Sequence, residues 1–166
     1  MTQHYTQFRV EKRRAAGQLT LSTGESLLGS FFLAGGSAMQ AGPERVIELL
    51  NAEAGFFPFA RSGASEETTM LVNRAHLVAV KLLEAENEAA LDAGYEVARA
   101  RRVTMVLSTG LRLSGTVRIH KPAGHDRLSD YARTAQGFGY LENADGTFVV
   151  NAAHVVELSE DGGETE

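Results

Sequence analysis

The sequence predicts a mainly-β chain folded as two tandem small β-barrels joined by a short helix. Three observations predict it. First, the chain repeats itself in order. L-T-L-S-T-G-E-S-L-L-G at 19–29 returns as M-V-L-S-T-G-L-R-L-S-G at 105–115, and G-P-E-R-V-I-E-L-L-N (Gly42–Asn51) as G-H-D-R-L-S-D-Y-A-R (Gly124–Arg133). Gly55-Phe56 returns as Gly137-Phe138, and T-M-L-V-N-R-A-H-L-V-A-V (Thr69–Val80) as T-F-V-V-N-A-A-H-V-V-E-L (Thr147–Leu158). Matches that keep their order mark a duplicated unit, and such a repeat decides architecture before any local assignment. Second, short apolar stretches alternate with turn signals every 8–12 residues or so, the spacing of small barrels and sandwiches. Third, L-E-A-E-N-E-A-A-L-D-A at 83–93 holds helix formers and no β-branched residue.

The elements follow in order. A strand ends in Leu19 and Leu21, and Thr23-Gly24 turns tightly, because glycine takes positive φ without steric cost. Ser26–Ala34 is a second strand, Gly35–Pro43 a glycine-rich loop, and Glu44–Asn51 a short helix or strand. Phe56–Ala60 is a strand, with Pro58 at a sheet edge or strand end because proline has no N–H to donate. Thr69–Val72 and His76–Leu82 read as paired strands across an Asn73-Arg74 turn, where asparagine tolerates the left-handed region. The second unit runs through Tyr95–Leu107, Arg112–Ile119, Leu128–Thr134, Gly137–Leu141, a turn at 143–146 and Phe148–Leu158. The expected organisation is residues 1–82 as first barrel, 83–94 as linker helix, 95–158 as second barrel and 159–166 as a disordered acidic tail.

Composition narrows the classes. Units of roughly 60 residues are marginal alone, so the halves are expected to pack together or self-associate. The chain lacks cysteine, which removes disulfides, thiolate zinc sites and thiol catalysis. No run of 18 apolar residues and no basic start before an apolar core is present, so the expectation is a cytoplasmic protein with no membrane span. The net charge of −5 opposes an obligate nucleic-acid binder. Basic residues nevertheless cluster before each repeat, Arg9, Arg13 and Arg14 before the first and Arg99, Arg101 and Arg102 before the second.

Three resemblances attach to particular residues. Gly24-x-x-Leu27-x-Gly29-x-Phe31, and again Gly110-x-x-Leu113-x-Gly115-x-Val117, resembles the first signature of Sm-like barrels, a member of the SH3-like small-barrel group. The closing V-N-x-A-H hairpin stands where the second signature stands. The resemblance implies a strongly bent strand with glycine where it curls, and in RNA-binding members an acid and an asparagine in the loop that follows. Here those places hold Gly35 and Met39, then Lys121 and His125, with His125 or Gln40 as possible substitutes. Asn73 and Asn151 replace the usual Arg-Gly pair of the second signature. The segment E-R-V-I-E-L-L-N followed by F-F-P-F resembles uncharacterised bacterial small-barrel proteins, which implies no activity. Arg9-x-x-x-Arg13 with Ser26-x-x-Gly29 resembles cyclic-dinucleotide-binding PilZ barrels, in which arginines would stack on guanine and pair with phosphate; Gly24 stands where an Asp or Asn is usual.

No catalytic constellation, His-x-x-x-His ligand pair, phosphate loop or Gly-x-Ser-x-Gly elbow is present, and no enzyme, cofactor or metal is expected. His76 and His154 share one repeat position, which predicts a structural role such as bonding the asparagine turn. Phe31-Phe32 and Phe56-Phe57 must each send one ring to either face of a strand. With Phe59 they are the candidate protein-contact residues, toward the other repeat or another chain; repeat two carries Arg118 and Gly139 at the positions read as outward. The expected function is a non-enzymatic interaction or regulatory module that binds protein. The alternatives are an Sm-like RNA or DNA binder using the six arginines, and a PilZ-like nucleotide module.

Overall fold

A computed structural model describes residues 12–39, 41–63 and 65–162. Ten strands form one antiparallel sheet. The first half contributes β1 (Arg13–Leu21), β2 (Ser26–Leu33), helix α1 (Val46–Ala52), β3 (Phe56–Arg61), β4 (Thr68–Asn73) and β5 (Leu77–Leu82). The second contributes β6 (Arg99–Leu107), β7 (Arg112–Ile119), helix α2 (Leu128–Thr134), β8 (Phe138–Asn143), β9 (Gly146–Asn151) and β10 (Val155–Glu160). The strand order is β10-β6-β7-β8-β9-β5-β1-β2-β3-β4. Each half therefore carries the same internal order, and the halves meet where β9 pairs with β5.

Local chemistry sets the elements. Period-2 burial on β1 puts Ala15, Gly17 and Leu19 inward, and on β2 Leu27, Gly29, Phe31 and Leu33. Gly24 and Gly110 turn the β1–β2 and β6–β7 hairpins at φ +85° and +86°. Gly29 lies so close to β3 that a Cβ there would stand 2.0 Å from the Ala60 carbonyl oxygen. Gly115 meets the Glu142 carbonyl oxygen in the same way, at 2.5 Å. Both glycines of the repeated signature thus let adjacent backbones approach. Pro58 sits beyond the β2–β3 pairing, which covers only Phe59–Arg61 on the β3 side, so its missing N–H costs nothing there.

Several expectations are corrected. The sheet is continuous and does not close into two barrels. The cause lies at Asn73 and Asn151, where no hairpin forms. Each asparagine caps a 3₁₀ turn, Arg74–His76 or Ala152–His154, by accepting a hydrogen bond from the main-chain N–H two residues on. Asn73 keeps an extended φ of −79° rather than a left-handed one. The chain then leaves β4 without pairing back on it, and β5 runs between β1 and β9. The linker is not a full helix: a single 3₁₀ turn covers Glu88–Leu91, and β6 begins at Arg99 rather than Tyr95. At the C-terminal end β10 continues through Glu160, past the start expected for a disordered tail; residues 163–166 lie outside the described residues. Among the described residues no helix is long and apolar enough to cross a membrane.

Two apolar clusters form the core, and each borrows from the other half. The first gathers Leu19, Phe31, Phe57, Phe59 and Leu77 with Phe138 and Val149 from the second half. The second gathers Val103, Met105, Leu113 and Leu141 with Val78 and Ala79 from the first.

Candidate interaction surface

The internal joint shows how one half of this molecule recognises the other. Ala79 faces Val150, Val80 faces Val149 and Lys81 faces Phe148 across the β5–β9 ladder. Apolar burial there is complete, with Val78, Val80 and Val149 fully enclosed and Phe138 nearly so. Polar side chains then fix the register. The Asn151 amide donates to the carbonyls of Leu77 (3.0 Å) and Arg74 (3.4 Å). Asn51 clasps the main chain of Phe138, accepting from its N–H at 2.9 Å and donating to its carbonyl at 3.1 Å.

The two histidines behave as a repeated structural pair, although not through the asparagine turn. His76 Nδ1 lies 2.8 Å from Ser22 Oγ, and His154 Nδ1 lies 2.7 Å from Ser108 Oγ. His154 Nε2 also reaches the Ala75 carbonyl at 2.7 Å. A carbonyl only accepts, so that nitrogen carries the hydrogen, and in the neutral ring Nδ1 accepts from the serine hydroxyl. His154 is therefore a rivet of the joint.

A polar belt closes the joint on the linker side. Glu88 accepts from the N–H groups of Val46 (3.0 Å) and Ile47 (3.2 Å) and from the Tyr140 hydroxyl (2.6 Å), tying linker, α1 and β8 together. Burial and the neighbouring Glu88 carboxylate push the Tyr140 hydroxyl far above its ordinary pKa. Arg45 pairs with Asp92 at 2.5 Å; burial is the largest single influence and opposes its charge, but the Asp92 bond together with the electrostatic pull of Tyr140, Asp92 and Glu48 raises its pKa. Arg118 stacks 3.7 Å over the Tyr95 ring and bonds Glu142 at 3.1 Å. Burial disfavours the Glu142 charge, yet donors from Tyr95, Asn87 and Arg118 prevail and lower its pKa. Among the described residues no group of three or more His, Asp or Glu side chains is placed to hold a metal ion.

The aromatic candidates divide between core and surface. Phe31, Phe57 and Phe59 are core residues with at most 1% exposure, Phe31 stacking on Phe57 and meeting Phe59 edge-on. Another chain cannot reach them, which corrects that part of their assignment; they share a buried cluster with Phe138 and Val149 of the second half. Phe32 is half-buried under the Arg14 guanidinium, 4.9 Å from its ring centre. Phe56 is the outward member of its pair, which reverses the reading that matched an outward Phe57 to Gly139. It stands exposed near Leu71 of β4, the strand that ends the sheet.

No family model, curated protein or solved structure matches this chain.

The basic candidates are mostly engaged. Arg14 pairs with Glu67, Arg99 with Asp126 and Arg101 with Glu160. Arg13 and Arg102 are exposed, while Arg9 and Gln40 lie outside the described residues. His125 is exposed and His120 lies 3.9 Å from Asp92. What sequence reasoning missed is the strand edges themselves. The signal was present in Leu71 and Val156, apolar residues on strands whose repeat counterparts, Val149 and Val78, turn out to be buried.

Proposed function

We propose that the chain is a non-enzymatic interaction module of two duplicated units whose glycines are placed as in the Sm-like signature, and that what it binds is protein. One observation carries the reading. The β3–β4 end of the sheet presents Phe56 and Leu71, 60% and 67% exposed, beside a strand edge with no partner strand among the described residues. Open edges recognise extended backbone, and flanking apolar side chains add affinity and selectivity. Burying one such ring contributes roughly 1.5–3 kcal/mol. Arg14, Arg99 and Arg101 each pair with a carboxylate, which reduces the positive charge these three offer to a phosphate backbone.

Two measurements test this. The immobilised full chain should retain a defined protein from native-cell extract, and Phe56→Ser should lose it while keeping the fold. In filter binding, RNA and DNA should show no retention that falls steeply over about 0.05–0.2 M salt, the range in which phosphate contacts weaken. Sub-micromolar, salt-sensitive nucleic-acid binding that needs Arg13 and Arg14 would replace this reading with the nucleic-acid one.

A further inference from the structure

The contacts that join the two halves have counterparts at the ends of the sheet, and there most of them are unmade. Through the repeat, Leu71 corresponds to Val149, Phe56 to Phe138 and Val156 to Val78. At the internal joint Val149, Phe138 and Val78 are 0%, 8% and 0% exposed; at the ends Leu71, Phe56 and Val156 are 67%, 60% and 65% exposed. The polar contacts follow suit. Asn151 spends its amide on two carbonyls across the joint, whereas Asn73, among the described residues, makes only its own turn cap, accepting from the Ala75 N–H. His154 Nε2 bonds a carbonyl across the joint, whereas His76, with the same serine on Nδ1, has no Nε2 partner among the described residues. The strands carrying these unmade contacts are β4 and β10, the two ends of the sheet and the counterparts of β9 and β5.

We infer that the β4 edge of one copy pairs antiparallel with the β10 edge of a second copy, repeating the β9–β5 joint between molecules. This rests on the reading of the chain as a protein-binding module and names its partner. The repeat fixes the register: Met70, Leu71 and Val72 face Ser159, Leu158 and Glu157 of the second copy, as Phe148, Val149 and Val150 face Lys81, Val80 and Ala79 internally. Asn73 then donates to the second copy's carbonyls at Ala152 and Val155, and His76 Nε2 to its carbonyl at Ala153. Ser159 replaces Lys81 and Met70 replaces Phe148, and two further replacements bring charge to the joint. Arg133 replaces Asn51, and Glu157 replaces Ala79. Both changes put charge where the internal joint has a neutral contact, so the external joint is the weaker of the two and reversible. Because β4 and β10 are different surfaces, the contact is head-to-tail and leaves one of each edge free at every step.

Sedimentation equilibrium on the full chain tests it. The wild type should exceed the 17.9 kDa protomer mass, increasingly so with concentration. Leu71→Lys blocks the β4 edge and Val156→Lys the β10 edge; both side chains are exposed in the single chain, and circular dichroism checks that both variants fold. Each variant alone should be monomeric. An equal mixture should form a 1:1 dimer and stop there, because one variant keeps β10 and the other keeps β4. A wild type that stays monomeric up to about 1 mM, the weak end of specific association, overturns the inference. So does either variant assembling alone as the wild type does, or a mixture that stays monomeric. A monomeric wild type that still captures a different protein through Phe56 overturns self-pairing while leaving the protein-binding reading in place.

Discussion

At the scale of single residues, polar groups pin apolar surfaces in register. Glu142 is the sharpest case, since Tyr95, Asn87 and Arg118 all donate to it. These bonds favour the charged carboxylate and hold its pKa below the ordinary glutamate value against the opposing effect of burial. A depressed folded pKa contributes stability that is present above the unfolded value and lost as pH falls through the folded one. Glu142→Gln should therefore cost about 1.5–3 kcal/mol at neutral pH, the range for hydrogen bonds to a charged group. The gap between wild type and variant in urea melts should close as pH drops below the ordinary glutamate range; a gap that stays constant from neutral to acid pH would count against this account. His76 and His154 were legible as a structural pair because they repeat. Their partners Ser22 and Ser108 were not, since each lies 54 or 46 positions away and only the fold brings it near.

At the scale of elements, the glycine signature is the most informative stretch of the sequence. Gly29 and Gly115 were expected where a strand curls, and both sit against a carbonyl oxygen of the next strand. Gly29→Ala should destabilise by about 1–3 kcal/mol or more, because the obstacle is backbone and cannot swing aside as a side chain would. Gly36→Ala, with nothing within 4 Å of the added carbon and no positive φ, is the control and should be near neutral in thermal melts. A Gly29 variant as stable as the control would show that the two strands can separate at little cost. Most strands were legible from alternation and turn residues. The β4–β5 connection was not, because Val-Asn-Arg-Ala-His supports both a hairpin and a capped 3₁₀ turn. Hydrogen bonds from the fold decide between them: Arg74 is drawn inward to the carbonyls of Phe56 and Leu49.

At the scale of the whole molecule, the duplication was plain in the sequence but the way its halves meet was not. Edge pairing depends on which strands lie free, a property of topology rather than of local pattern. Since each apolar cluster contains residues from the other half, the two halves should unfold together. Calorimetry should show one transition, and Val149→Ala should lower that single transition by roughly 1.5–3 kcal/mol of stability, two buried methyl groups at about 0.8 kcal/mol each plus the cavity they leave. Two resolved peaks of which only one moves would show that the halves fold separately. The β9–β5 joint also bears on how such a molecule can vary. In an unduplicated assembly every subunit contact is the same contact, and a single replacement is felt at all of them at once. Here the strands that meet inside the chain are encoded apart from those that face outward. Of the two seams, a replacement on the joining edge of β5 or β9 bears on the permanent one, and a replacement on the open edge of β4 or β10 on the exchangeable one. The permanent seam is thereby free to be optimised for strength, while the outer one is left to be tuned for release.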